Sequence, residues 1–113
     1  MGRVTIYHNP RCAKSRATLE LIKKKGIEPE VVEYLTTPPD VLSLRKVVNT
    51  LGIPVAAIVR TKEYKELNLP QTNDESMMLK LICEHPQIMQ RPIVVNGKNA
   101  CIGRPPENVL DII

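Results

Sequence analysis

Nine consecutive residues, His8-Asn9-Pro10-Arg11-Cys12-Ala13-Lys14-Ser15-Arg16, hold most of what this chain could use for covalent chemistry. A short apolar run, Val4-Thr5-Ile6-Tyr7, leads into them, and an amphipathic stretch over 17–25 leads out. Cys12 is therefore expected where a strand turns into a helix. Unbonded backbone N–H groups and the positive end of the helix dipole gather at such a turn. They attract anions and favour thiolate over thiol. Arg11, Lys14, Arg16 and a protonated His8 would act in the same direction. The pattern points to a nucleophilic thiolate beside an oxyanion pocket, titrating below the roughly 8.5 of a free cysteine. The competing reading is a cysteine that packs as a small hydrophobe. Ser15 occupies the place where a CxxC motif would have its second cysteine. Its hydroxyl either donates to the thiolate or caps the helix.

Three arginines could complete an anion site. Arg60, Arg91 and Arg104 each stand beside a break in the chain, and Arg91 and Arg104 each precede a proline. A guanidinium donates two parallel hydrogen bonds, which suits a tetrahedral oxyanion. Taken singly, each reads more readily as an ordinary surface arginine than as a ligand; convergence of Arg91 and Arg104 on Cys12 requires the 92–102 hairpin to pack beside the first strand. A proline that opens a strand next to a thiol site is also a natural place for a cis bond, so Arg91-Pro92 is expected to be cis.

These residues need a scaffold. Strand 3–7, helix 17–25 ending at Gly26, and strand Glu30-Val31-Val32-Glu33-Tyr34 make a βαβ unit, so its strands should be parallel. Ala17, Leu21 and Ile22 are the expected inner face of that helix. Thr37 is the expected N-cap of the next one, with Pro38 at its first position and Asp40 as a capping-box acid. Leu44, Val47, Val48 and Leu51 form its apolar stripe, and Gly52 and Pro54 end it. Residues 55–60 have no clear pattern, 62–67 fit a short helix, and 74–84 fit a helix with Met78, Leu81 and Ile82 inward. Two strands, 92–95 and 100–102, flank a hairpin connection at Asn96-Gly97-Lys98-Asn99. A last helix is expected over 107–112. This order predicts one α/β, thioredoxin-like domain over 1–113: a small mixed four-stranded sheet flanked by helices, with a helical insertion at about 37–90.

Composition narrows the function classes. The 113 residues are 42% hydrophobic and 25% charged, with a net charge of +4. That balance is ordinary for a globular protein and suits a small anionic substrate. No apolar run reaches the roughly 20 residues of a membrane span, so neither a membrane nor a signal segment is expected and the cytoplasm is the expected location. Cys12, Cys83 and Cys101 form no CxxC, which argues against a disulfide framework; Cys83 and Cys101 read as structural. Two histidines without close ligand pairs argue against a metal site. With no Phe or Trp and three Tyr, no stacking platform for nucleic acid is expected.

Four motifs, in order along nearly the whole chain, resemble the glutaredoxin-coupled arsenate reductases. They are His8-Asn9-Pro10-x-Cys12-x-x-Ser15-Arg16, Arg60-Thr61-Lys62-Glu63, Gln90-Arg91-Pro92-Ile93-Val94-Val95 and Ile102-Gly103-Arg104-Pro105-Pro106-Glu107. The resemblance implies a thioredoxin-like fold, attack of the Cys12 thiolate on arsenate, and oxyanion binding by Arg60, Arg91 and Arg104. It implies that His8 lowers the thiol pKa and that the Pro92 bond is cis. Catalytic roles thus fall to Cys12, His8 and Ser15. Substrate contacts fall to the three arginines with Asn9 and Arg16. Without a second thiol at position 15, an external thiol must resolve the adduct. Glutathione is then the co-substrate and glutaredoxin the partner, with no bound cofactor and a monomeric protein expected. Ala13-Lys14 replaces the Gly-Thr of better-characterised reductases; alanine has less backbone freedom and lysine adds charge in the anion loop.

Rival readings are a low-molecular-weight phosphatase, a fold-related transcription regulator that binds RNA polymerase, and a monothiol oxidoreductase with another substrate. The phosphatase loop needs an arginine six residues after its cysteine, and position 18 is Thr. The regulators often carry a CxxC switch, which Ser15 removes.

Overall fold

The computed structural model describes residues 4–113. Arg3, the first residue of the expected strand 3–7, lies outside the described residues. The chain divides into two compact units: one comprises the residues up to Thr37 with Arg91–Ile113, the other Pro38–Gln90.

The first unit is built on a four-stranded mixed sheet in the order β2-β1-β3-β4. Strand β1 (Val4–Tyr7) runs parallel to β2 (Glu30–Val32) and antiparallel to β3 (Ile93–Asn96), which pairs antiparallel with β4 (Asn99–Ile102). Val4 and Ile6 alternate to one face. There they join Ile22, Val94 and Val109 in a buried cluster edged by Leu19, Leu21, Ile27 and Cys101. Helix α1 (Ala13–Lys24) and the 3-10 helix Pro106–Asp111 pack together. The final segment was expected as an α-helix; it is only six residues long, Pro106–Asp111, and takes the tighter i+3 ladder used in short pieces.

Two further expectations are corrected here. The strand read over 30–34 stops at Val32, because Glu33 begins a turn: its carbonyl accepts from the N–H groups of Thr36 and Thr37. The buried face of α1 is Ser15, Thr18 and Ile22, with Leu21 half-buried and Ala17 exposed. The hydroxyls find partners inside the fold, and burial follows those partners rather than hydrophobicity alone. Gly26 ends the helix at φ +78°, a left-handed turn that suits glycine.

The second unit is helical. It contains α2 (Val41–Leu51), a 3-10 turn at Val55–Ile58, α3 (Thr61–Glu66), α4 (Glu75–Glu84) and a 3-10 turn at Pro86–Ile88. Asp40, not Thr37, caps α2: its side chain accepts from Ser43 N–H at 2.7 Å. The successive prolines 38 and 39 hold the chain extended, which delays the helix past them. Leu44, Val47 and Val48 are buried as the stripe predicts, and α2 packs on α4. Asp74 caps α4, whose buried side chains are Leu79, Leu81 and Ile82; Met78 is half-buried. Val59 bridges to Met89, and Arg60 N–H bonds the Ile88 carbonyl.

Candidate active site

Cys12 is the N-cap of α1, in extended geometry at φ −94° and ψ 122°. Its N–H bonds the Asn9 carbonyl at 3.0 Å, and its own carbonyl accepts the first helical bond, from Arg16 N–H. The sulfur is half-buried. That burial alone would push the thiol up. The backbone N–H groups of Ser15 and Lys14 and the guanidinium of Arg91 outweigh it, so the thiol lies below its ordinary value. The expected direction holds, but its source differs. Side-chain charge comes from Arg91, on the far side of the sheet's β1–β3 seam, and Lys14 contributes through its backbone.

The loop before the cysteine is held by its own side chains. His8 and Ser15 are buried, and His8 Nδ1 lies 2.6 Å from Ser15 Oγ. The Asn9 N–H donates to the same oxygen at 3.0 Å. The hydroxyl proton can then be given to Nδ1, which suits a neutral imidazole. Burial lowers the His8 pKa, with Arg16 and Lys23 adding to it against Glu33. The protonated His8 expected to stabilise the thiolate by charge is therefore corrected: the imidazole is neutral near pH 7, and it anchors Ser15. The Ser15 hydroxyl is likewise taken up by His8 and Asn9, not by the sulfur or a helix cap.

Asn9 and Arg16, expected to touch substrate, each make a hydrogen bond that shapes the loop. Asn9 Oδ1 accepts from Arg11 N–H at 3.0 Å, an Asx turn. Arg16 Nη1 donates to the Pro10 carbonyl at 2.9 Å. An arginine six residues along can close back over the loop because one helical turn brings it beneath Pro10.

Arg91 and Arg104 are brought together by the hairpin. Register pairs Tyr7 with Ile93, and Ile93 with Ile102, so both arginines lie just beyond the same end of the sheet as Cys12. Arg104 Nη1 donates to the Arg91 carbonyl at 3.1 Å. Both Arg91-Pro92 and Arg104-Pro105 are cis; the first was expected and the second was not. Arg60 belongs to the helical unit, where its Nε donates to Glu63 at 2.7 Å. Among the described residues no three His, Cys, Asp or Glu side chains gather as metal ligands, and no helix is long and apolar enough to cross a membrane.

The parallel β1–α1–β2 unit, the antiparallel β3–β4 hairpin, a cis-proline opening β3 and a cysteine at the N-terminus of α1 define a thioredoxin-like fold. Residues 7–112 match the ArsC family, and the chain belongs to it. It is 50% identical to protein YfgD of Escherichia coli K12, over 98% of this chain and 97% of that one. It is 46% identical to an arsenate reductase of Neisseria meningitidis, over 96% and 97%. The solved arsenate reductase of Vibrio cholerae superposes with a TM-score of 0.92 at 45% identity, covering 99% of this chain and 98% of that one.

Proposed function

We propose that this chain reduces arsenate to arsenite through the Cys12 thiolate, with glutathione and glutaredoxin supplying the electrons in the cytoplasm. The observation that carries the reading is the Arg91 guanidinium acting on a helix-capping sulfur. A cation that stabilises the thiolate can also hold a tetrahedral anion against it. Relatives named arsenate reductase over nearly the whole chain support the substrate.

The thiolate displaces one arsenate oxygen, which leaves protonated as water, and an S–As bond forms. Glutathione displaces a second oxygen. A glutaredoxin thiolate then attacks the glutathione sulfur. The S–As electron pair stays on arsenic, As(V) becomes As(III), and the two donors leave joined as a disulfide. Hydrolysis of the remaining S–As bond releases arsenite and restores Cys12. Arg91 and Arg104 neutralise charge on the arsenate oxygens; Arg60 joins them in the proposal through its motif. His8, Ser15, Asn9 and Arg16 hold the loop that presents the sulfur.

Purified protein incubated with arsenate, glutathione and glutaredoxin should produce arsenite, and Cys12→Ser should abolish it. Absence of turnover in the unsubstituted protein with both donors present would overturn the reading.

A further inference from the structure

Thr18 and Gly103 have no role in the reaction just described, yet they meet where α1, the Arg91-Pro92 step and the Arg104 segment come together. Thr18 lies on α1, six residues after Cys12, and is completely buried. Gly103 lies between β4 and Arg104. Its N–H donates to the Pro92 carbonyl at 2.9 Å, which ties it to the residue next to Arg91. Its carbonyl faces Thr18 Oγ1 at 3.5 Å, while that hydroxyl donates to the Lys14 carbonyl at 2.8 Å. A Cβ placed on Gly103 would stand 2.6 Å from Thr18 Oγ1, 2.8 Å from Pro92 Cγ and 3.1 Å from Thr18 Cγ2. No side chain fits in that space. The φ angle of Gly103 is not in the left-handed region, so closeness of approach, not backbone freedom, is what requires a glycine here.

Helix α1, the Arg91-Pro92 step and the Arg104 segment thus touch at one point. Arg104 adds a second tie by bonding the Arg91 carbonyl. We propose that the Thr18–Gly103 contact is a spacer that sets the distance from Arg91 and Arg104 to the Cys12 sulfur, making both residues positioning residues of the anion site. Separating α1 from the hairpin there moves the guanidiniums relative to the thiolate while leaving every charge in place. A positional error of about 1 Å at a reacting site can cost as much as 10²-fold in rate.

The inference rests on the reading of Cys12 and Arg91 as the anion site, but its main test does not need arsenate. Iodoacetamide alkylation against pH gives the Cys12 thiol pKa in Gly103→Ala, with Cys83 and Cys101 replaced by serine in test and reference proteins alike. The pKa should rise toward the ordinary thiol value, with circular dichroism unchanged. Where arsenite is produced, KM for arsenate should rise about 10-fold, with kcat changed less than about 3-fold. Thr18→Ala introduced into Gly103→Ala removes two of the three close contacts and should recover part of both losses. If Gly103→Ala fails to fold, Thr18→Val decides alone: it keeps the side-chain shape but loses both hydroxyl contacts, and should raise the pKa in the same direction by less. A folded Gly103→Ala protein with an unshifted thiol pKa, or an unshifted Thr18→Val protein where Gly103→Ala cannot be made, would overturn the proposal. A shifted pKa without arsenate turnover in the reference protein would instead overturn the arsenate reading and keep the spacer.

Discussion

Cys12 and Cys101 are the same residue type in the same unit, both half-buried, and their thiols shift in opposite directions. Burial raises each. At Cys12 the N–H groups of Ser15 and Lys14 and the Arg91 guanidinium reverse that effect. At Cys101, in the middle of β4, Asp111 adds like charge to the effect of burial, and the thiol is pushed up to about 11. Partial exposure does not make a cysteine reactive. Thiolate formation needs donors aimed at the sulfur, and the N–H groups that β4 turns toward β3 are committed to their ladder. A helix start leaves its own unbonded.

Three experiments can break or sharpen this contrast. The largest effect is expected from Arg91→Ala, which should lower kcat/KM for arsenate about 10²–10³-fold and raise the Cys12 pKa toward that of an ordinary thiol. Arg91→Lys should recover the pKa more than the turnover, because a point charge lacks the two-pronged donor geometry. Steady-state kinetics and alkylation-rate profiles check both. Next, competitive labelling with iodoacetamide at pH 7, read by peptide mass spectrometry, should find Cys12 modified at least about 10-fold faster than Cys101. Cys12 lies below its ordinary 9.0 and Cys101 at about 11, a gap of at least about 100-fold in thiolate, and the weaker nucleophilicity of the lower-pKa thiolate takes back about tenfold.

The smallest effect concerns stability. Folding favours the protonated Cys101, so its contribution is complete below the ordinary thiol range and is lost as pH rises through about 11. Cys101→Ala should therefore show a shallower loss of denaturation midpoint between pH 9 and 11. Cys12 runs the other way: its thiolate is favoured in the fold, and that contribution is lost as pH falls through the lowered pKa.

Much of the scaffold could be read from local pattern. The βαβ unit, the Gly26 helix end, the apolar stripe of α2 and the hairpin all rest on spacing within a few residues. The α2 cap was misplaced because Thr37-Pro38 imitates a helix start, while the second proline carries the chain past it to Asp40. In the site, Cys12 and Arg91 were identifiable from residue type and chain breaks. The charge of His8 was not, because it depends on burial that only the folded loop creates. Nor could sequence show that Asn9, Ser15 and Arg16 bond to the loop, since a polar side chain near a cysteine reads the same whatever its partner. Thr18 entered only as the absence of an arginine. The need for a glycine at 103 arises from a helix 85 residues away, beyond any local signal.

The hairpin tip has a consequence for how this chain can vary. Gly97 turns at φ +61° and Gly97-Lys98 joins Asn96 directly to its partner Asn99, so the tip has no slack. Exposed turns usually tolerate insertions. Here the turn sets the register for the opposite end of the ladder: an extra residue that the loop does not hold as a bulge slides β4 by about 3.4 Å against β3 and faces its side chains the other way. Such a slide would take Arg104 from Arg91, so a length change at the other end of the hairpin would dismantle the proposed anion site without altering one of its residues.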